Sequence, residues 1–457
     1  MTKLWGSRFD GKSDKLADQF SFSIRYDYRL AKYDVQSSIA HAQMLGRQKI
    51  ITKKDAGQLV SGLKKLLRSI ESGQFTFDPK AEDIHTDIQA QLKKLIGEAA
   101  DKLHTARSRN DLIVMDMKLY CKDELTDIDE GLQALQKSIL KFANQNKETI
   151  IPAYTHLQAA QVVLLAHHML AYIEMLERDR QRIQDALKRI DIMPLGSCAL
   201  SGTSLPTDRD FITKELGFAQ TAQNSIDAVS DRDFIIETLS SLAILSMHFS
   251  RFSEDLILWA SREFNFIDID PSLCTGSSIM PHKKNPDMLE LIRGESGKMF
   301  SNLNELLILM KGLPLTYNRD LQLDKPPLFE SVEKAKEMTG ILIKLFNTLN
   351  IKQGHIEKLI QDEAFFSVDI MEYLIKKGVS YRNAHDIVGR MIKDCVDKGK
   401  KLSHLNAAKL KQYSSKFEED IKGFLNPKVS VTIKQSVGST NPKLVHKQIE
   451  LWKKKLN

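Results

Sequence analysis

Apolar residues recur along much of the chain at the spacing of a helix. The stretch 156–192 contains no glycine, and its apolar positions return every three or four residues, as at Leu165, Met169, Tyr172 and Leu176. Alternating apolar and polar residues, which half-buried strands require, are nearly absent. The pattern predicts an all-α fold whose long helices form an extended bundle.

One stretch, residues 234–249 (FIIETLSSLAILSMHF), is apolar on almost every side. It contains Glu237 and His248, and its apolar run is shorter than the ~20 residues that a membrane-spanning helix needs. A helix that is apolar all round is typical of the interior of a large protein. We therefore predict a helix at the centre of the core bundle, and no membrane association.

Two irregular stretches interrupt the helical pattern. Residues 191–206 (DIMPLGSCALSGTSLP) are rich in glycine, serine and proline, and residues 266–286 form the second. Long irregular stretches between helices are usually functional. We predict an N-terminal helical domain at 1–105, a central long-helix bundle at 106–362 and a C-terminal helical domain at 363–457.

Composition excludes several classes of protein. The 457 residues are 42% hydrophobic and 27% charged, which is ordinary for a globular enzyme and excludes disorder. The cysteines are scattered and form no C-x-x-C pair; they are Cys121, Cys198, Cys274 and Cys395. This favours free thiols in a reducing compartment over disulfides or a zinc site. The first residues lack the apolar core of a signal peptide, so we expect a cytoplasmic protein.

The chain has a net charge of +7 and a pI near 8.9. Its basic clusters at 398–401 and 453–455 are short and are not interleaved with aromatic residues. Solvent-exposed surfaces of helices explain these lysine clusters better than nucleic-acid binding, which we do not expect. A mild positive charge would equally suit a polyanionic small substrate.

The first polar motif is HTARSRND at residues 104–111, ahead of a helix expected to begin at Leu112. Ser108 and Asp111 have the S-x-x-D spacing of a capping box, which suffices as a structural explanation. Two arginines, hydroxyls and an asparagine beside a helix N-terminus would also bind a carboxylate. Taken alone, the motif favours the structural explanation and leaves carboxylate binding open.

The second motif is YTHLQ at residues 154–158. Thr155 and Gln158 have the spacing of another capping box, which places His156 in the first turn of a predicted helix. The helix dipole would favour a neutral imidazole there, able to act as a general acid or base. A purely structural histidine stays an alternative.

The third motif is GSSIMPHKKNP at residues 276–286. Asn285, Pro286 and Asp287 predict a helix start with proline at its first position. Capping does not account for the preceding glycine, the two serines or Lys283, so this motif favours a functional site. Phosphate-loop, dinucleotide-binding and serine-hydrolase patterns are absent from the sequence.

These residues carry a family resemblance that extends over essentially the whole chain. GSSIMPHKKNP resembles the signature of the fumarase/aspartase superfamily. Further stretches are similar to the argininosuccinate lyases within it, namely LWGSRF (4–9), HTARSRND, YTHLQAAQ, PLGSCALSGT (194–203), YNRDLQLDK (317–325) and the tail 429–442.

The resemblance implies a three-domain helical fold that assembles as a homotetramer around a twenty-helix core. It also implies that each active site takes its three motif regions from three subunits. The reaction implied is elimination from argininosuccinate, which yields arginine and fumarate with neither cofactor nor metal.

The resemblance also assigns catalytic roles. Ser277 would remove the proton next to a carboxylate, and Lys283 and Asn285 would stabilise the carbanion that results. His156, oriented by Glu290, would protonate the departing nitrogen. Which of Ser277 and His156 performs which step stays open.

Substrate contacts carry over to other positions; these are Ser23, Arg109, Asn110, Thr155, Tyr317, Gln322 and Lys325. The sequence departs from the usual family pattern at Gln89, Leu112, Cys198 and His282. The departures leave open a lyase that releases fumarate from another N-substituted aspartate. An inactive structural relative is a third possibility, but such a protein would not require all the catalytic positions together.

Overall fold

The computed structural model of the chain describes residues 14–456. Two features of the sequence lie outside this range. They are the LWGSRF stretch and the start of the chain, on which the expectation about a signal peptide rests.

The described residues are mainly helical. Their helices are α1 Lys15–Ser21, α2 Ile24–Asp27, α3 Ala31–Arg47, α4 Lys53–Glu71, α5 Ile84–Ile96, α6 Arg109–Gln145, α7 Leu165–Ile190, α8 Arg209–Glu215 and α9 Ser225–Ser230. There follow α10 Asp233–Ala260, α11 Asp287–Met310, α12 Lys325–Thr348, α13 Gln353–Leu359, α14 Ser367–Lys376, α15 Tyr381–Asp397, α16 Ala407–Tyr413, α17 Pro427–Thr432 and α18 Pro442–Leu456. The long helices α6, α7, α10, α11 and α12 confirm the all-α prediction.

Six short strands pair into three two-stranded sheets within residues 14–456. The strands are β1 Ile150–Thr155, β2 Gln158–Leu164, β3 Ile192–Met193, β4 Gln220–Thr221, β5 Ile267–Asp268 and β6 Asn350–Ile351. β1 and β2 form an antiparallel hairpin, β3 and β4 are parallel, and β5 and β6 are antiparallel.

The hairpin corrects one prediction. The helix expected from residue 156 begins at Leu165, and His156 lies instead in the turn between β1 and β2. Thr155 and Gln158 are paired strand residues and do not form a capping box. β-branched residues on both strands and the proline in β1 favour extended backbone, which explains the difference.

The chain divides into two compact units, each built from three segments. The first unit comprises the described part of Met1–Glu130, with Asp179–Ser246 and Glu295–Lys336. Within it, α3 packs against α4 so closely that a Cβ at Gly46 would lie 2.5 Å from that of Ala56. Glycine is therefore required at this contact.

The second unit comprises Gly131–Arg178, Met247–Gly294 and the described part of Glu337–Asn457. Its C-terminal part has an apolar core of its own in which Tyr373 stacks on Phe417, with ring centroids 6.2 Å apart.

Helix α10 contains the apolar stretch 234–249, and Phe234, Ile235, Leu242 and Phe249 are each no more than 2% exposed. The prediction of a core helix is confirmed. No helix within residues 14–456 is long and apolar enough to cross a bilayer.

Candidate active site

The HTARSRND motif lies in the first unit, where it starts the 37-residue helix α6. Asp111 Oδ1 accepts the Ser108 N–H (3.0 Å), as the capping box predicts, and Ser108 Oγ accepts the N–H of Asn110 (3.2 Å). Because Ser108 caps the helix, α6 begins at Arg109, three residues earlier than expected. Arg109 and Asn110 therefore occupy its first turn.

Arg109 is held against the start of α5. Its Nη1 lies 3.1 Å from Asp83 Oδ2 and 3.5 Å from Glu82 Oε1, and its Nη2 donates to Thr86 Oγ1 at 3.0 Å. Asp83 in turn caps α5 by accepting the Thr86 N–H (2.8 Å). The guanidinium is thus fixed in one orientation.

The loop 194–206 is attached to the same helix start. Asp111 Oδ2 accepts the backbone N–H groups of Gly196 (3.0 Å) and Cys198 (2.8 Å), while Asn110 Nδ2 donates to the Ala199 carbonyl (3.1 Å). Burial raises the pKa of Asp111 to about 6 despite these donors.

Beneath this surface is a buried network of charged side chains. His85 Nδ1 hydrogen-bonds Asp34 Oδ2 and lies 3.6 Å from Asp116 Oδ2, and Ser38 Oγ accepts from Arg107 (2.8 Å) and donates to Asp34 (3.3 Å). Burial alone would lower the pKa of His85, but the hydrogen bond and charge of Asp34 raise it to about 9. Burial and the charge of Asp34 raise the pKa of Asp116.

The ligand atoms of Asp34, His85 and Asp116 lie within 4.8 Å of one another, a spacing that a metal ion could use. Arg107 and protonated His85 already supply the positive charge that the Asp34 carboxylate needs, and the raised pKa of Asp116 favours its uncharged form. The cluster is therefore accounted for as an ion-pair network that supports the start of α6.

Ser23 and Gln322 lie in the same part of the first unit as Arg109. Ser23 Oγ donates to Asp27 Oδ2 at 2.5 Å, and Ser23 N–H donates to the Glu82 carbonyl at 2.9 Å. Gln322 Nε2 donates to the Ser21 carbonyl at 2.7 Å. Ser23, Arg109 and Gln322 are thus connected through residues 21–23 and 82–86.

Lys325 is buried and shares one carboxylate with a second cation. Its Nζ lies 2.9 Å from Asp324 Oδ1, while Arg232 Nε donates to Asp324 Oδ2. Burial would raise the pKa of Asp324, but Lys325 and Arg232 together hold it below its usual range. Burial raises the pKa of Tyr317. The charge of Asp324 also raises this pKa, and the charge of Arg232 lowers it.

Residues 276–286 (GSSIMPHKKNP), here called the signature loop, lie in the second unit. The two ends of the loop are held together by hydrogen bonds. Thr275 and Asn285 exchange two backbone hydrogen bonds, of 3.2 and 2.8 Å, at its base, and Thr275 Oγ1 also donates to Asp287. Ser277 Oγ accepts the backbone N–H groups of Ile279 (3.3 Å) and Met280 (3.0 Å).

Helix α11 begins directly after this loop, one residue later than predicted, so Pro286 precedes its first residue. The acids expected in the first turn are present as Asp287 and Glu290. Lys283 and Glu290 are exposed, and Asn285 is half-buried.

His156 and the signature loop are attached to the same segment of the second unit. Tyr154, two residues before His156, packs edge-on against Phe264 with ring centroids 5.2 Å apart. Lys284 Nζ bonds Asp268 Oδ1 (2.8 Å) and the Ile269 carbonyl (2.6 Å). Residues 264–269 therefore support both elements, while Thr155 and His156 are exposed at the hairpin tip.

The twelve sequence-predicted residues thus fall into two sets of six. The first unit holds Ser23, Arg109, Asn110, Tyr317, Gln322 and Lys325, and the second holds Thr155, His156, Ser277, Lys283, Asn285 and Glu290.

Sequence reasoning missed the acids that hold Ser23, Arg109 and Lys325. They are Asp27, Glu82, Asp83 and Asp324. A signal was available for the pair at 82–83, which directly precedes a helix in the position of an N-cap. Asp27 and Asp324 gave none, because Ile84 and Arg232, their partners that are remote in the chain, are brought to them only by folding.

Long helices with polar motifs at helix starts and loop ends are the features that the resemblance to the fumarase/aspartase superfamily of lyases implies, and the family-model matches support that class. Residues 7–301 match the family model described as Lyase, and residues 366–432 match the model of the argininosuccinate lyase C-terminal region. The chain belongs to the argininosuccinate lyase family.

The similarity to individual relatives extends over nearly the full length. An argininosuccinate lyase of Geobacter metallireducens is 44% identical over 438 residues, covering 96% of each chain. One of Syntrophus aciditrophicus is 46% identical over 448 residues, covering 98% of this chain and 95% of the relative. The crystal structure of EDDS lyase in complex with formate superposes with a TM-score of 0.84 at 25% identity, covering 97% of this chain and 90% of that one.

Proposed function

We propose that this chain cleaves argininosuccinate into arginine and fumarate, as a step of arginine biosynthesis. The observation that carries the proposal is identity of 44–46% to argininosuccinate lyases over nearly the whole chain, including the family's C-terminal region. The reaction removes a proton from the carbon beside a carboxylate and expels the guanidino nitrogen.

Ser277 is the proposed base. A serine hydroxyl holds its proton too tightly to act unaided, so its oxyanion must be stabilised. The backbone N–H groups of Ile279 and Met280 that point at Ser277 Oγ would do this, since donors aimed at a developing negative charge lower its energy. Lys283, in the same loop, would add a positive charge when the loop surrounds substrate.

Lys283 and Asn285 are the proposed groups that stabilise the carbanion. Asn285 stands two residues before the first residue of α11, a helix of 24 residues whose N-terminal N–H groups favour negative charge. The extra negative charge on the substrate carboxylate would be bound by the lysine, the asparagine and the helix start together.

His156 is the proposed acid that protonates the leaving nitrogen, and Glu290 the proposed group that orients its ring. The turn exposes the imidazole at the hairpin tip, where a substrate can reach it. The reverse assignment, with His156 as base and Ser277 as acid, is chemically possible, and isotope exchange distinguishes the two.

The remaining predicted residues would hold the substrate. Arg109 and Asn110 stand at the N-terminus of α6, where a carboxylate is favoured. Thr155, Ser23, Tyr317, Gln322 and Lys325 are the further proposed contacts. No cofactor is required by this chemistry.

We further propose a homotetramer whose active sites each combine residues of three subunits. Large apolar side chains on α11 are exposed in the single chain: Phe300 by 45%, Leu307 by 47% and Ile308 by 56%. Exposed apolar side chains on a long helix are typical of a subunit interface.

The four free cysteines agree with a cytoplasmic location.

The direct test is to incubate the purified protein with argininosuccinate and follow fumarate by ultraviolet absorbance and arginine by chromatography. Equal release of both products is expected. Ser277→Ala and His156→Asn should each lower kcat by a factor of about 100 or more. Ser278→Ala, which alters the neighbouring hydroxyl, is the matched control and should keep most activity.

Wild-type turnover in the Ser277→Ala variant would remove Ser277 from the mechanism. To separate base from acid, each variant is assayed for exchange of the substrate's carbon-bound hydrogen with solvent deuterium. Only loss of the base abolishes exchange, while loss of the acid blocks release of the nitrogen.

A second candidate is a lyase for another N-substituted aspartate. The fold shared with EDDS lyase and the departures at Gln89, Leu112, Cys198 and His282 favour testing it. A panel of N-substituted aspartates, compared by kcat/KM, distinguishes the two candidates. An inactive structural relative would turn over none of them.

A further inference from the structure

The hydroxyl group of Ser23 is unusually placed for a serine at a helix start. Ser23 directly precedes α2, a position where a serine usually accepts backbone N–H groups. Here its hydroxyl makes no capping hydrogen bond and donates to Asp27 Oδ2 at 2.5 Å. Both residues are buried, with 7% and 2% of their surfaces exposed.

The second carboxylate oxygen of Asp27 is also occupied. Asp27 Oδ1 accepts the backbone N–H of Ile84, the first residue of α5, at 3.1 Å. An ionised carboxylate can only accept hydrogen bonds, so the hydroxyl hydrogen of Ser23 must point at Asp27. The lone pairs of Ser23 Oγ are therefore left for another donor.

We propose that Asp27 is a positioning residue that makes Ser23 Oγ a hydrogen-bond acceptor, so that this part of the site binds an N–H cation rather than a carboxylate. The inference rests on the proposed function, which makes Ser23 a substrate contact. The cation is then the ammonium or the guanidinium group of the arginine moiety.

The arrangement strengthens binding of a cation in two ways. First, the carboxylate of Asp27 polarises the Ser23 hydroxyl, because each hydrogen bond in a chain strengthens the next. Second, the Ser23 N–H donates to the Glu82 carbonyl, which fixes the backbone of Ser23 in place. A donor with positive charge gains more from such an acceptor than a neutral one.

The test uses Asp27→Asn, which keeps the size of the side chain. The amide oxygen can still accept the Ile84 N–H, but the amide nitrogen would donate to Ser23 and turn the hydroxyl hydrogen outward. Inhibition of turnover by L-arginine and by fumarate is measured in wild type and variant. We expect the inhibition constant of arginine to rise roughly tenfold and that of fumarate to stay unchanged.

Ser23→Ala and the double variant complete a mutant cycle. If Asp27 acts through Ser23, the Asp27 substitution has no further effect on arginine inhibition once Ser23 is alanine. A purely structural role would weaken arginine inhibition equally in both backgrounds, or weaken arginine and fumarate alike. Either result would overturn the proposal, as would no effect of Asp27→Asn.

A further inhibitor, 5-guanidinopentanoate, lacks the ammonium group and identifies the cation. If its inhibition is unaffected by Asp27→Asn, Ser23 binds the ammonium group, and an effect equal to that on arginine assigns the guanidinium. Absence of fumarate release by the wild type would instead refute the proposed function, before any variant is compared.

If Asp27→Asn does not fold, protonation of Asp27 in the wild type replaces the substitution. Burial raises the pKa of Asp27 to about 6, opposed by His85 and the Ser23 hydrogen bond; Asp83 and Lys325 also face it. The pKa of His85 is raised to about 9 and that of Asp83 is lowered, so neither titrates near pH 6.

Arginine binding, measured by calorimetry, should therefore weaken in wild type as the pH falls from about 7.5 to 5.5, and this change should be smaller in Ser23→Ala, where Asp111 still titrates in the same range. The same pH dependence in both proteins would overturn the proposal.

Discussion

Single residues buried near the start of α6 carry charges that the fold must compensate. His85, Asp34 and Asp116 lie in one network, and His85 holds a proton because Asp34 faces it. His41 and His104, close to Arg107, behave in the opposite way: burial and that guanidinium lower the pKa of each to about 3. Neighbouring charges thus decide which histidine is cationic.

The network predicts a pH dependence of stability. Because the folded pKa of His85, about 9, exceeds the ordinary value of about 6.5, its protonated form stabilises the fold below about pH 6.5, and this contribution is lost as the pH rises through 9. The loss should approach about 3 kcal/mol in the free energy of unfolding. His41 and His104 lose their stabilising effect only on the acid side, as the pH falls from about 6.5 to 3.

Urea unfolding at pH values across this window checks the prediction. His85→Asn should be less stable at neutral pH and show a flatter decline toward pH 9 than the wild type. His385→Asn, which removes an exposed imidazole, is the control and should keep the wild-type slope. An identical slope in the His85 variant would contradict the assignment.

At the scale of elements, the loop 194–206 depends on one glycine. Gly196 has φ of +88°, and a Cβ there would lie 2.9 Å from Cγ and Cδ of Arg209. Arg209 cannot easily move, because its Nε donates to the Leu195 carbonyl (2.7 Å) and its Nη1 to that of Ala222 (2.9 Å). The loop in turn holds Asn110 through the Ala199 carbonyl.

Gly196→Ala should lower the free energy of unfolding by about 2 kcal/mol, because it combines backbone strain with a clash. It should also raise KM for argininosuccinate, since Asn110 loses its fixed acceptor. Gly389→Ala is the control: that glycine lies inside α15 with nothing within 4 Å of a Cβ, so alanine should stabilise by up to about 1 kcal/mol. Equal effects of both substitutions on stability would argue against a special role for Gly196.

At the scale of the whole molecule, the proposed tetramer explains why a single chain exposes large apolar side chains on α11. Phe300→Glu combined with Leu307→Glu should reduce the mass found by sedimentation and abolish activity, while helicity by circular dichroism is retained. Leu451→Glu, at a position in α18 that is 56% exposed, is the control and should leave the assembly intact. A full-size, active assembly of the α11 variant would exclude this face as an interface.

Sharing of active sites between subunits predicts complementation. Ser277→Ala and His156→Asn subunits, inactive alone, are mixed, dissociated and reassembled. If the two residues of one site come from different subunits, about a quarter of the sites in random hybrids contain neither substitution, and activity returns to about that fraction of wild type. Activity that stays at zero in verified hybrids would place both residues of a site on one subunit.

The sequence by itself determined the all-α class, the core helix at 234–249, the capping box at Ser108 and the positions that carry the family resemblance. These follow from periodicity, capping residues and local motifs, which involve neighbours a few residues apart. The hairpin at 150–164 was missed because its two strands are favoured over helix mainly by pairing with each other.

Only the tertiary structure decided which charges face which. Asp27 meets the start of α5, Asp324 meets Arg232, and His85 keeps its proton beside Asp34. The physical reason is that hydrogen-bond direction and protonation depend on distances of a few ångströms between segments that are remote in the chain. Such distances exist only after the helices have packed.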